Sequence, residues 1–213
     1  MIRYAATLMF AVSAVALGAS ENMSRINGSL RVEAGRQAGD VSTVNGSITL
    51  ETGTSAREVE TVNGSVRLES HAAARSLETV NGGVVLEEGA QVSEGVSAVN
   101  GRLTLRQGAR VGGRLENVNG EFRLEGAAVG AGIETVNGDV FVGAGSRVDG
   151  GIHVRESRGW GRRKASSNPE ITVESGAVVN GPLRFEREVD LYVGDGAVIG
   201  PIEGIAPRRQ GIP

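Results

Sequence analysis

There is no cysteine anywhere in this chain. That absence excludes disulfides, thiolate metal sites, a cysteine nucleophile and a lipidated cysteine. Aromatic residues make up only 3%, too few for a core built on large rings. Histidine occurs twice, as His71 and His153. A zinc site of three imidazoles therefore fails on ligand count. No charge of one sign dominates either. Lys and Arg number 22 against 25 Asp and Glu, a net of −3, which gives no electrostatic reason to expect nucleic acid as partner.

What is abundant is glycine, with 33 residues, and much of it is periodic. Asn-Gly returns at Asn27, Asn45, Asn63, Asn81, Asn100, Asn119 and Asn137, in steps of 18, 18, 18, 19, 19 and 18 residues. A period that regular marks a repeat architecture. The column before Asn is aliphatic (Ile26, Val44, Val62, Val80, Val99, Val118, Val136), as are those three and five residues after it, such as Val66 and Leu68. In one unit Val62, Gly64, Val66 and Leu68 alternate with Asn63, Ser65 and Arg67. Period-two alternation predicts strand with one apolar face, so Val62 is expected inside with Val66 and Leu68.

Two folds fit this pattern. Asn-Gly between alternating residues is a strong hairpin signal. The strands flanking it are short for hairpins, however, and a constant period stacks like residue on like. The reading is therefore all-β: a single-stranded parallel β-helix of about 18 residues per coil, roughly ten coils, wound right-handed. In it the Asn column forms a structural ladder of side-chain amides, donor above acceptor, at one corner. Asn also tolerates the left-handed backbone that corners use, and Gly does so freely. At about 4.8 Å per coil the rod is on the order of 45–50 Å long.

The chain divides as follows. Residues 1–20 read as a secretory signal peptide: Arg3, an apolar run from Ala5 to Leu17, then small residues such as Ala14-Val15-Ala16 and Gly18-Ala19-Ser20. The run is shorter than the ~20 residues of a membrane span; an uncleaved anchor is the alternative. Residues 21–206 are the β-helix, with an excursion at 155–168, and residues 207–213 are a polar, Pro-containing tail expected to end the stack. Later coils carry Gly-Ala-x-Val/Ile corners, as in Gly176-Ala177-Val178-Val179 and Gly196-Ala197-Val198-Ile199.

The Thr/Glu-x-Val-Asn-Gly-Ser-Val-x-Leu repeat, residues 24–143, resembles a bacterial repeat family of unknown function that carries an adhesin label and consists of exported β-solenoids. The Gly-Ala-x-Val-x-Gly corners of residues 144–204 are similar to those of bactofilins, the polymer-forming cytoskeletal β-helix proteins. The resemblances imply a solenoid that works at the bacterial envelope, by surface contact or by end-to-end assembly.

No catalytic constellation and no cofactor site is read. A hexapeptide acyltransferase shares the 18-residue coil but places small residues where Asn45, Glu51, Asn63 and Glu69 stand here. Glu51, Glu69 and Glu87 form one acidic column and Glu60 and Glu78 another; these are read as a solvated face eased by Arg31, Arg57, Arg67 and Arg75. Thr43, Thr61, Thr79 and Thr135 lack the Thr-x-Thr pairs of flat ice-binding arrays. A β-helix carbohydrate-active enzyme needs a groove of acids, bases and aromatics, for which little is on hand.

The expected function is thus an exported, non-catalytic structural or adhesion module in the periplasm or on the cell surface. Its candidate contact site is the basic excursion: Arg155, Arg158, Trp160, Arg162, Arg163 and Lys164. Guanidinium and ammonium groups meet phosphates or anionic sugars, and Trp160 stacks on a sugar or sits at a membrane interface. The expected partners are an anionic glycan, lipid or another envelope protein, not nucleic acid. Open strand edges also predict weak end-to-end association at the N-terminal end.

Overall fold

A computed structural model describes residues 20–156 and 168–210. All regular structure among them is β-strand, and every pairing between strands is parallel. That removes the hairpin alternative, because Asn-Gly hairpins would make antiparallel ladders. The chain winds into a β-solenoid of ten coils. One side of each coil is a strand of three or four residues, from Leu30–Val32 through Val66–Leu68 to Arg208–Gln210, and these form a ten-stranded sheet.

The rest of each coil forms a second sheet. In the first four coils it is one strand: Glu21–Asn27, Ala38–Asn45, Ser55–Asn63 and Ala73–Asn81. From the fifth coil it splits into two, as in Gln91–Val92 and Val96–Asn100. Register explains the split. Val92 stacks on Ala74 and Val96 on Leu77, so Ser93, Glu94 and Gly95 occupy a space that Arg75 and Ser76 fill one coil earlier. The added residue makes a corner, and it accounts for the first 19-residue step in the Asn-Gly period.

Like stacks on like along the whole rod. Ile48, Val66, Val84, Leu103, Phe122, Val140, Ile171 and Leu191 form one inward column, fully buried or nearly so. The buried aliphatics join in one continuous core cluster from Leu30 to Leu191. Each such side chain contributes roughly 1.5–3 kcal/mol when removed from water, and no coil could bury its face without a neighbour.

Two expectations are corrected. The aliphatic column before Asn points outward, not in: Val44, Val62 and Val80 are each 40% exposed and Ile26 is 72% exposed. Thr43, Thr61 and Thr79 take the inward place at 3–4% exposure. Alternation holds along a straight strand only. Here the chain turns at Val-Asn, so both residues face solvent and the phase resets after the corner. The stack also does not end at Ala206. Arg208–Gln210 forms a tenth strand, paired with Asp190–Tyr192. Arg209 aligns with the inward residue Leu191, a place open to solvent on the last coil, so its charge is tolerated. Residues 1–19, nearly all of the segment read as a signal peptide (1–20), and residues 211–213 lie outside the described residues.

Candidate functional site

The asparagine corner is the most regular polar feature. The inward threonine before it secures the coil below: Thr43 Oγ1 donates to Gly28 O at 3.2 Å, Thr61 to Gly46 O at 3.0 Å and Thr79 to Gly64 O at 3.2 Å. In the sixth coil Asn117 does the same, its Nδ2 donating to Gly101 O at 2.6 Å. Its Oδ1 is the buried side-chain atom left without a partner among the described residues. The glycine after Asn is required by close stacking. A Cβ on Gly64 would overlap the carbonyl of Gly46, and one on Gly82 that of Gly64.

On this corner the seven amides form an unbroken ladder. Asn45 Nδ2 donates to Asn27 Oδ1 at 3.0 Å, Asn63 to Asn45 at 2.9 Å, Asn81 to Asn63 at 3.0 Å and Asn100 to Asn81 at 3.0 Å. Asn119 then donates to Asn100 at 2.9 Å and Asn137 to Asn119 at 3.0 Å. Every donor points toward the N-terminal coil.

The eighth coil has no Asn-Gly corner, and residues 157–167, which follow there, lie outside the described residues. Arg187, from the coil beyond, reaches across the gap. Its Nη1 donates to Asn137 Oδ1 at 2.6 Å and to Val136 O at 3.2 Å. A guanidinium thus supplies the bond that an eighth asparagine would have made. Sequence reasoning missed Arg187, since the contact joins residues 50 positions apart and breaks the period.

Both feet of the excursion are pinned. Glu186 accepts the Glu156 N–H at 3.0 Å and bonds His153 Nε2 at 2.9 Å. The Glu156 amide, and after it His153, hold the Glu186 carboxyl below its usual range. On the return, Asp139 Oδ1 accepts the Glu170 N–H at 2.8 Å. Arg155 is ion-paired with Glu134 at 2.8 Å, a carboxylate that Arg114 also meets at 2.8 Å. Arg158, Trp160, Arg162, Arg163 and Lys164 lie outside the described residues.

Charges elsewhere are largely matched coil to coil. Arg31 meets Glu51 at 2.8 Å, Arg57 meets Asp40 at 2.6 Å, Arg67 meets Glu87 at 2.6 Å and Arg75 meets Glu94 at 2.7 Å. These pairs are exposed and contribute little to stability, and they also relieve the stacked carboxylates. Glu125 takes hydrogen bonds from Arg123 and then Arg106, which lower its carboxyl pKa. Glu60 and Glu78 stand in direct register. No group of three or more metal-ligating side chains is found among the described residues. His153 illustrates why: Glu186 approaches its Nε2 while Glu134 lies 3.9 Å from its Nδ1, on opposite sides of the ring. A shallow depression of about 180 Å³ beside it is lined by Arg114, Glu134, His153, Arg184 and Glu203.

Two surface features complete the picture. The outward Ile26–Val118 column makes an aliphatic ridge beside the ladder. The two described aromatics outside the core, Phe141 and Tyr192, share one outward column with Thr172 between them. The Arg123 guanidinium lies 4.5 Å from the Phe141 ring centre.

Compared with known proteins, the chain matches no family model, no curated protein and no solved structure.

Proposed function

We propose that this chain is an exported, non-catalytic rod that serves a structural or adhesion role at the bacterial envelope. The observation that carries this reading is the continuity of the stack. One core cluster, one amide ladder and coil-to-coil ion pairs run along the rod. Such a body holds its shape without a ligand and presents its faces at fixed spacing. The leader read in residues 1–20 supports export. The break in the repeat supports a contact site: its feet are held by Glu186 and Asp139, and loops carried on rigid scaffolds commonly bind. The cations between those feet favour an anionic glycan or lipid headgroup.

The test uses the purified protein with Arg158, Arg162, Arg163 and Lys164 all changed to Ser. Binding to anionic vesicles and to anionic glycans is compared with that of the unchanged protein. The substitution is expected to abolish binding and to mimic added salt, which screens exposed charge over about 8 Å at physiological ionic strength. Equal binding at low salt removes the contact site from the proposal. Release of sugar from any glycan offered removes the non-catalytic role and favours a carbohydrate-active enzyme.

A second reading, an end-to-end polymer-forming scaffold, is favoured by the two ends. The inward residues of the end coils, Met23 at one end and Ile199 and Ile202 at the other, are only partly buried against the core. The outermost strands of both sheets also present unpaired edges among the described residues. Filaments in electron micrographs support that scaffold; a concentration-independent monomer by sedimentation excludes it.

A further inference from the structure

We propose that Asn27 is a spontaneous deamidation site, the soft rung of a ladder that otherwise protects its asparagines. Asn-Gly pairs undergo an internal reaction that needs only water. The glycine backbone nitrogen attacks the asparagine Cγ and forms a C–N bond. The Cγ–Nδ2 bond breaks, and the proton from the glycine nitrogen leaves with the amide as ammonia. Water then opens the cyclic imide at either carbonyl, giving aspartate or isoaspartate. Glycine permits this because it has no side chain to obstruct the approach.

The reaction requires three freedoms: Cγ must swing onto the glycine nitrogen, Nδ2 must depart, and the glycine N–H must lose its proton. The rungs from Asn45 to Asn100 oppose all three, the glycine N–H after each donating to the next asparagine carbonyl. Asn63 Nδ2 donates to Asn45 at 2.9 Å, its Oδ1 accepts from Asn81 at 3.0 Å, and Gly64 N–H donates to Asn81 O at 3.0 Å. The far end is held as well. Asn137 donates to Asn119 and accepts from Arg187, while Gly138 N–H donates to Thr135 Oγ1 at 2.8 Å.

Asn27 is different. Its Oδ1 accepts from Asn45 at 3.0 Å, but no described rung precedes it to hold Nδ2. Its strand, Glu21–Asn27, pairs on one side only and is exposed at every position but Met23. End coils of a repeat stack also open most readily. The aspartate product keeps the oxygen that Asn45 uses. Its added negative charge lies near Arg25, whose Nη1 is 3.6 Å from where a Cβ on Gly28 would sit. The isoaspartate product adds a backbone carbon to the corner and disturbs the bond from Gly28 N to Asn45 O, now 2.8 Å. Either way the first coil changes from a donor to an anion with age.

The test incubates the folded protein at mildly alkaline pH and maps its peptides by mass spectrometry over time. Asn27 is expected to convert about three- to tenfold faster than Asn63 or Asn81, the effect of one missing amide hydrogen bond on a barrier. In denaturant the seven sites are expected to converge on one rate. Equal rates in the folded protein overturn the proposal, and so does a lead for Asn27 that survives in denaturant. Arg187→Ala gives an independent check. It is expected to raise conversion at Asn137 toward the Asn27 rate without altering Asn27. An unchanged rate at Asn137 removes the ladder as the source of protection.

Discussion

Replacing His71 by glycine is expected to stabilise this protein. The turn that opens each coil holds one residue in the left-handed region. Gly35, Gly53, Gly89, Gly108, Gly126, Gly145, Gly176 and Gly196 fill it with φ between 65° and 79°, and His71 fills it with φ 59°. Among the described residues it is the one non-glycine with positive φ. A side chain there costs roughly 1–2 kcal/mol, whereas glycine costs about 0.5–1 kcal/mol in chain entropy. The net gain from His71→Gly is about 0.5–1 kcal/mol, or about 2–4 °C in Tm per kcal/mol for a chain this size. Gly53→Ala is the mirror experiment. Nothing lies within 4 Å of its added Cβ, so it should lose a similar amount through backbone strain alone. Gly89→Ala adds a clash, since its Cβ would lie 2.5 Å from His71 Nδ1 and 2.7 Å from Cε1. That clash vanishes once His71 is glycine. Urea melts of the wild type, the two single variants and the double variant should therefore show Gly89→Ala costing at least about 0.5 kcal/mol less in the His71→Gly background. Loss of stability in His71→Gly, or the same cost for Gly89→Ala in both backgrounds, refutes the reasoning.

Asn63→Ala removes two amide hydrogen bonds at a corner that water reaches, so urea melts should show a loss of about 1–2 kcal/mol. Arg187→Ala uncouples the seventh coil from the ninth; a loss of about 1–2 kcal/mol and faster amide exchange around residues 136–139 are expected, while Arg187→Lys, with a single ammonium in place of the fork, restores part of it. Glu186, with its carboxyl pKa depressed by the Glu156 N–H and then by His153, supports the foot of the excursion at pH above the unfolded carboxylate value of about 4.3. That support is lost as pH falls through the lower folded value, so the protection of the Glu156 amide relative to its intrinsic exchange rate should fall on acidification in the wild type and be already low in Glu186→Gln.

The coil register was legible in the sequence because the Asn-Gly period is itself the register: Asn45 sits over Asn27 and Asn63 over Asn45. The inward Val66 and Leu68 columns were legible for the same reason. Val62 was not, since alternation carries no information across a corner and nothing local marks where the strand stops being straight. Thr61 reads as a polar surface residue until its hydroxyl is seen bonded to the carbonyl of Gly46. The change from 18 to 19 residues was visible, but its meaning, a new corner at Ser93–Gly95, depends on which neighbour absorbs the extra residue. Arg187 was hidden because repair of a broken period is by nature aperiodic. Arg208–Gln210 reads as tail on polarity, although an end coil has no neighbour to make its inner face dry.

The common direction of the ladder has an electrostatic consequence. Seven amides aligned head to tail add their dipoles along the rod, a side-chain counterpart of the field of an α-helix. The negative pole falls at Asn137, where the Arg187 cation sits. The positive pole falls at Asn27, on the outermost coil, so anions are drawn to that end of the rod, and a carboxylate formed there by ageing lies in a field that stabilises it.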